Sequence, residues 1–347
     1  MDRKACILLL NDIHVSKDNI LEFNINWDEA LSVCDRLQIR EVVLGGDLFM
    51  SRAAQTLDVL LAVRDAFVRA EKAEVYVTVM NGNHDKVDQE ANRGYCHVFD
   101  QHKNVSVVDD YISLCLSNEW RFVLHALAYF PERGSFEDKL KDLVLHHLDE
   151  KRLNYLYAHE GVNGALKHSS ENELSPDVFK AFDKVFVGHY HDRKTIEGTS
   201  IEYIGASRQH NFGEDEEKGY TVVYEDGNYD FVKNERNSRF SVVEVAAEGV
   251  DVHLLNRLEG IREDERYKVK VRVRCPGAKV VSIDKEKLLQ AGASKVEILV
   301  EEDIAEATGS SLFNKFDNQE IIKNYEVFCD EKRIEDVDLG LSYLSKI

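Results

Sequence analysis

"MNGNHDK" occupies residues 80–86 and follows Glu74-Val75-Tyr76-Val77-Thr78-Val79. β-Branched and aromatic side chains favour an extended strand. Gly82 then lets the chain turn sharply. Asn83, His84 and Asp85 therefore stand in a row where a buried strand ends. One such tripeptide is ordinarily a surface loop. The fold depends on whether other strands end the same way.

Four others do. Ala5-Cys6-Ile7-Leu8-Leu9-Leu10 is an unbroken apolar run, suited to a strand covered on both faces, and it leads into Asp12 and His14. Glu41-Val42-Val43-Leu44 ends in "GGDLF", with Asp47. Asn154-Tyr155-Leu156-Tyr157 ends in "AHEG", with His159, and Lys184-Val185-Phe186-Val187 ends in "GHYH", with His189 and His191.

Helical spacing marks Trp27 to Leu37 and Gln55 to Ala70, so the first third alternates strand and helix. That alternation implies parallel strands with covering helices. Later strands at Arg121–Leu124 and Ile201–Ile204, a hairpin over Gly219–Val232 and a helix near 136–150 imply a second sheet packed on the first. The expected fold class is α/β, a two-sheet αββα sandwich.

In an open α/β sheet, sites form outside the carboxyl ends of the strands. Carboxylate, imidazole and amide oxygen suit divalent ions such as manganese, iron or zinc. No cysteine stands among these residues, which argues against a structural zinc site. The donors suffice for two ions sharing one carboxylate, and two ions ~3.5–4 Å apart serve phosphoryl transfer.

The chain has 347 residues, 44% hydrophobic and 31% charged, as expected of a soluble globular protein with one large domain and smaller additions. No apolar run approaches the ~20 residues that span a bilayer. The opening residues carry no leader-like cleavage site. Cys6, Cys34, Cys96, Cys115, Cys275 and Cys329 are scattered without a CxxC pair, and read as reduced thiols of a cytoplasmic protein. The net charge of −20 speaks against a nonspecific nucleic-acid coat protein. It leaves room for an enzyme that grips a polyanion through bound cations and a local basic strip.

The ordered set Asp-x-His, Gly-Asp, Gly-Asn-His-Asp, His and Gly-His-x-His resembles the calcineurin-like metallophosphoesterases over roughly residues 5–232. The resemblance implies that Asp12, His14, Asp47 and His191 hold one metal. Asp47, Asn83, His159 and His189 would hold the other, with Asp47 bridging. It also implies that His84 is the catalytic proton donor or charge stabiliser and that Asp85 orients it. "GGDLF", "AHEGVNGAL" and "YIGASRQHNFGEDEEKGY" resemble the SbcD-type DNA repair nucleases and the recombination endonuclease subunit of T-even phages. That group implies manganese as the first choice of metal, with magnesium, iron or zinc as alternatives. It implies DNA as substrate, an ABC-type coiled-coil ATPase as partner, a homodimer, no membrane, and a bacterial or phage-infected cell. Met50 departs from it, standing where the group usually has Asp.

"KNERNSRF" (233–240) is polar and suits a domain boundary. The expected division is a nuclease domain over 1–235, a small DNA-contacting α/β cap over 236–303 and a helical partner-binding segment over 304–347. Lys268, Lys270, Arg272 and Arg274 alternate with valines, so period two puts the four cations on one strand face. They are candidate phosphate contacts, or simply a solvated face. Arg52, Arg208 and His210, near the motif loops, are further candidate substrate contacts. His125, His146 and His147 read as structural or solvent-facing, and Glu214-Asp215-Glu216-Glu217 as a solvated loop. Ile321, Ile322, Tyr325, Phe328 and Cys329 form one terminal apolar stripe, and Ile334, Val337, Leu341 and Leu344 another.

Three functions follow. The first is a metal-dependent DNA nuclease. The second is a phosphatase or nucleotide phosphodiesterase acting on small molecules. The third, a scaffold without catalysis, is disfavoured because every ligand position and His84 are present.

Overall fold

A computed structural model describes residues 3–166, 172–262, 264–276 and 283–301. The terminal segment 304–347, with both its apolar stripes, lies outside the described residues.

The strands are β1 (Ala5–Leu10), β2 (Glu41–Gly45), β3 (Tyr76–Met80), β4 (Val105–Val108), β5 (Tyr111–Leu114), β6 (Phe122–Leu127), β7 (Leu153–His159), β8 (Lys184–Gly188), β9 (Lys194–Thr195), β10 (Ile201–Tyr203), β11 (Gly219–Tyr224) and β12 (Tyr229–Lys233). The first sheet runs β12-β11-β1-β2-β3-β4 and the second β5-β6-β7-β8-β10-β9. β1 to β4 are mutually parallel. So are β6, β7, β8 and β10. Their motif-bearing carboxyl ends therefore lie along one edge of each sheet.

Two helices, α1 (Ile20–Leu37) and α2 (Leu57–Lys72), cover the outer face of the first sheet. Their buried residues, Phe23, Trp27, Ala30, Val33 and Cys34 on α1 and Val59, Val63, Ala66, Phe67 and Ala70 on α2, follow the spacing of one helical face. The Trp27 indole donates to the Ala66 carbonyl at 2.8 Å and ties the helices together. α3 (Phe136–His146) covers the second sheet through Phe136, Leu140 and Leu143. Between the sheets, Ile7, Leu9, Val43 and Met80 meet Phe122, Leu124, Tyr157 and Phe186. This is the expected two-sheet α/β sandwich. β1 is buried along its whole length, which is why it reads as a continuous apolar run rather than an alternating one.

The short strands β4, β5 and β9 were not legible. Each has at most 4 residues, too few to show a period. β4 closes one sheet and β5 opens the other, so the turn at Asp109-Asp110 carries the chain between them.

The segment 233–240 is not a solvated linker. Asn234, Asn237 and Arg239 are buried, and Asn237 and Ser238 bond the Glu22 carboxylate of α1. Its polar side chains serve one another and the helix, which is what burial of polar groups demands.

By compactness the described residues divide into two units, with the divisions after residues 242, 259 and 269. β13 (Arg239–Ala246) and β14 (Tyr267–Pro276) cross that division, as does α4 (Val252–Arg262). With β15 (Ala293–Glu301) the two strands form a three-stranded sheet, and α5 (Lys285–Gln290) precedes β15. Val269, Val271, Val273 and Cys275 are buried, so β14 presents its alternate, cationic residues outward.

Candidate metal centre

Three of the five motifs, those of Asp12 and His14, of Asp47 and of His189, leave their strands through strained backbone. Asp12 (φ 51°), His14 (φ 50°), Asp47 (φ 51°) and His189 (φ 96°) all occupy the left-handed side, uncommon for residues other than glycine. Such conformations persist where surrounding structure fixes them, and they cluster at functional sites. Two glycines make room. A side chain at Gly46 (φ 99°) would strike the His159 ring, and one at Gly82 would strike Asp47.

The donors converge. Asp12 is fully buried. Its Oδ2 accepts from the Asn11 amide and, at 3.1 Å, from the His189 backbone N–H. Its Oδ1 has no hydrogen-bond partner. That bare oxygen lies 3.9 Å from Nε2 of His14, 3.9 Å from Nε2 of His159 and 4.0 Å from Nε2 of His191. Asp47 Oδ2 lies 3.5 Å from His14 Nε2 and 3.4 Å from His159 Nε2. The Nε2 atoms of His14 and His191 stand 3.1 Å apart.

Asn83 Oδ1 faces His159 Nε2 at 3.3 Å and His189 Nδ1 at 3.4 Å. Turned over, the amide would donate to Asp47 and accept from Arg52. An oxygen facing only acceptors is the orientation a cation selects. A buried carboxylate oxygen without a proton donor is costly. The residues therefore fit divalent ions, and the groups Asp12–His14–His191, His14–Asp47–His84 and Asp12–Asp47–His159 each bring three donor atoms within metal-binding reach.

The electrostatics divide the ligands: although burial opposes it, the Asp47 and Asp12 carboxylates raise the His159 imidazole to about 9. Although burial opposes ionisation, the His159, His14 and His84 rings hold the Asp47 carboxyl well below the usual carboxylate range. Burial pulls the His189 imidazole down to about 4, with the His159 charge adding to it. A bare imidazole is the form that binds metal.

His84 is half-buried, and its ring sits 4.9 Å from that of His14. Its Nδ1 meets the Met50 carbonyl at 2.7 Å. Asp85 does not orient it. The Asp85 carboxylate is spent on the backbone N–H groups of Leu48 (3.2 Å), Phe49 (2.9 Å) and Gly82 (2.8 Å). Asp85 thus ties the Asp47 loop to the Asn83 loop. Burial and the Asp47 charge push its carboxyl up to about 7, against those amides.

The expected substrate contacts divide. Arg52 is exposed and lies beside the Asn83 amide. Arg208 is buried, donates to the Ile13 carbonyl at 3.0 Å, and burial lowers its pKa to about 10. His210 bonds the Asp12 carbonyl at 2.7 Å through Nε2. Both bond the backbone of the Asp12–His14 turn, and the His210 ring also packs 5.3 Å from that of His14 and 5.0 Å from that of His191.

The basic strand is paired. Arg272 bonds Glu297 at 2.8 Å and Glu244 at 3.0 Å, Arg274 bonds Glu244 at 3.0 Å, and Lys270 lies 3.9 Å from Glu297. Lys268 stands over the Phe240 ring at 5.1 Å. The face is a charge ladder and not an uncompensated strip.

The sequence reading missed Glu214. It is not a solvated loop residue. Its Oε1 lies 2.8 Å from His191 Nδ1 and its side chain is 7% exposed. Nothing in its local sequence sets it apart from Asp215, Glu216 and Glu217 beside it. His125 is structural as expected, buried between Ser113 (2.8 Å) and Asn154 (3.1 Å).

A two-sheet sandwich with this donor set at its strand ends is the arrangement that the resemblance to the calcineurin-like metallophosphoesterases implies, and the chain is similar to the SbcD-type members of that group. The similarity is to the SbcD component of nuclease SbcCD from Staphylococcus saprophyticus, 25% identical over 206 residues, which cover 52% of this chain and 54% of that protein. The chain thus spans about half the length of the curated relative it matches. No family model matches the chain. Among solved structures it is similar to the Pseudomonas putida nuclease MPE, with 16% identity and TM-score 0.28, covering 56% of this chain and 65% of that one. It is also similar to a dimetal phosphatase from Danio rerio, with 11% identity and TM-score 0.42, covering 64% of this chain and 93% of that one. Among the described residues no helix is long and apolar enough to cross a membrane.

Proposed function

We propose that this protein is a metal-dependent phosphodiesterase acting on DNA as the nuclease subunit of an SbcCD-like complex with an ABC-type ATPase. The observation that carries the hydrolase reading is the unpartnered Asp12 Oδ1, ringed by the Nε2 atoms of His14, His159 and His191 at 3.9–4.0 Å. Asp12, His14, Asp47 and His191 would hold one divalent ion, and Asp47, Asn83, His159 and His189 the other. Two ions held there would supply polarisation of a phosphoryl oxygen and a lowered pKa for bound water. Manganese is the first choice of metal.

The chain's own residues supply the rest. A carbonyl can only accept, so the Met50 bond fixes the proton of His84 on Nδ1. Nε2 is then the atom left to hold or pass a proton at the leaving oxygen. The Asp85 carboxylate fixes the turns that carry Asp47 and Asn83. Arg52 stands ready at the mouth for a phosphate oxygen.

Similarity to a curated SbcCD nuclease component supports DNA as the substrate. The β14 cations would contact phosphate by exchanging their carboxylate partners for it. Exposed pairs are worth little, so that exchange is cheap. In the same reading residues 1–235 form the nuclease, 236–303 the cap and 304–347 the ATPase-binding segment of a cytoplasmic homodimer.

The test compares single- and double-stranded DNA with p-nitrophenyl esters and cyclic nucleotides, each with manganese. Cleavage of DNA well above the small esters is expected. Efficient ester or cyclic-nucleotide hydrolysis with inert DNA would replace this reading by the small-molecule phosphatase.

A further inference from the structure

The imidazoles around the two cation positions are not held alike. His191 turns Nε2 toward the shared space and Nδ1 to the Glu214 carboxylate, 2.8 Å away. His159 turns Nδ1 to a neutral group, the Gly45 carbonyl, at 2.9 Å. His189 instead turns Nδ1 inward, 3.4 Å from the Asn83 amide oxygen. Of these three rings, only that of His191 is backed by a carboxylate.

Glu214 is itself fixed. Oε2 accepts from the His210 backbone N–H at 3.0 Å, and Oε1 accepts from the Asn211 amide at 2.8 Å. Lys218 sits with its Nζ 3.9 Å from Glu214 Oε2 and donates to the His191 carbonyl at 2.8 Å. The same short segment therefore holds His191 at its ring and at its backbone. A carboxylate accepts, so Nδ1 carries the proton and Nε2 presents a lone pair inward. A negative partner on Nδ1 also strengthens the ring as a donor to metal.

We infer that Glu214 is a positioning residue for His191, and that it makes the cation position formed with Asp12, His14 and Asp47 the tighter of the two. The inference rests on the two-metal reading above. It assigns a role outside the ligand set and predicts that the two positions are inequivalent.

The experiment reads metal binding and not turnover. Manganese is titrated into the metal-free full chain by calorimetry, with bound manganese counted by electron paramagnetic resonance, for wild type, Glu214→Gln and Glu214→Ala. Wild type is expected to bind two ions with unequal affinities. Glu214→Ala should weaken the tighter site ~10–100-fold, the usual worth of such an outer partner, and leave the weaker site alone. Glu214→Gln keeps an acceptor oxygen without the charge and should fall between. Nitrogen-15 spectra of His191 in the metal-free protein should show one tautomer in wild type and a mixture in Glu214→Ala. A merely structural role would instead weaken both sites together and lower the melting temperature of the metal-free protein. If Glu214→Ala fails to fold, the isosteric Glu214→Gln decides. Wild type that binds no manganese overturns the two-metal reading itself. Two ions bound in wild type, with both affinities unchanged or equally weakened in the variants, overturns the role of Glu214.

Discussion

The backbone N–H of His84 donates to the Asp47 carboxylate at 2.7 Å. Asp47 would bridge the two ions and His84 would act on the substrate. One hydrogen bond therefore fixes the distance between the metal-holding group and the proton-handling group. The Met50 carbonyl at Nδ1 then sets the ring's direction. Neither link needs Asp85.

Asp47→Ala should abolish hydrolysis while the protein stays folded, because its loss leaves both cation positions incomplete. Circular dichroism beside a manganese-dependent DNA cleavage assay checks this. Full activity in saturating manganese would end the bridging assignment.

His84→Ala should keep both ions and lose roughly 10²–10⁴-fold in rate, the usual worth of a positioned proton donor. Metal stoichiometry is measured beside turnover. Loss of an ion together with activity would make His84 a ligand, completing the His14–Asp47–His84 group.

Asp85→Ala should destabilise the fold by ~3 kcal/mol, because it strands buried N–H donors that each cost ~1–3 kcal/mol when unsatisfied. The donors are those of Leu48, Phe49 and Gly82. Urea unfolding of the metal-free protein is the measurement. Unchanged stability with a specific loss of turnover would restore Asp85 to a role beside His84.

Glu41, the first residue of β2, has its carboxyl pushed up by burial to about 7. The unfolded chain gives up this proton near its ordinary pKa of 4.5, before the folded protein does. Stability should therefore fall as pH rises from about 4.5 to about 7 and stay lowered above. Glu41→Gln removes that fall, and should be more stable than wild type by ~1–3 kcal/mol at pH 8 but not at pH 4.5. Thermal melts at the two pH values decide; the same difference at both would show that the carboxyl titrates normally.

Replacing Lys268, Lys270, Arg272 and Arg274 by Gln should lower DNA affinity and flatten the log–log salt slope by ~0.9 for each lost phosphate contact. The valine face is untouched, so folding should survive. Hydrolysis of a small ester should not change. With Glu244 and Glu297 already paired to three of these cations, an unchanged slope would mean that the ladder is only structural.

The sequence by itself determined the sandwich and which carboxylate, imidazole and amide side chains stand at its strand ends. A strand buried on both faces favours a continuous apolar run, as in β1, and β6 departs from it only at His125, whose ring is hydrogen-bonded. A chain leaving such a strand must turn at its carboxyl end. So Asp12, His14, Asp47, Asn83, His159, His189 and His191 each announced themselves by local context, and parallel pairing gathered them.

Only the tertiary structure decided what backs those residues. Arg208 and His210 brace Ile13 and Asp12 across nearly two hundred positions, and Asn237 and Ser238 satisfy Glu22 across more. Asp85 looked like a partner of the adjacent His84, yet its oxygens point at the Leu48 and Phe49 amides of another loop. Glu214 looked like one charge in a solvated run, and the β14 cations looked unpaired. A carboxylate reads the same in sequence whether it meets water, an amide, an imidazole or a guanidinium. Which of these it meets depends on side-chain direction and on segments distant in the chain, and folding alone brings those together.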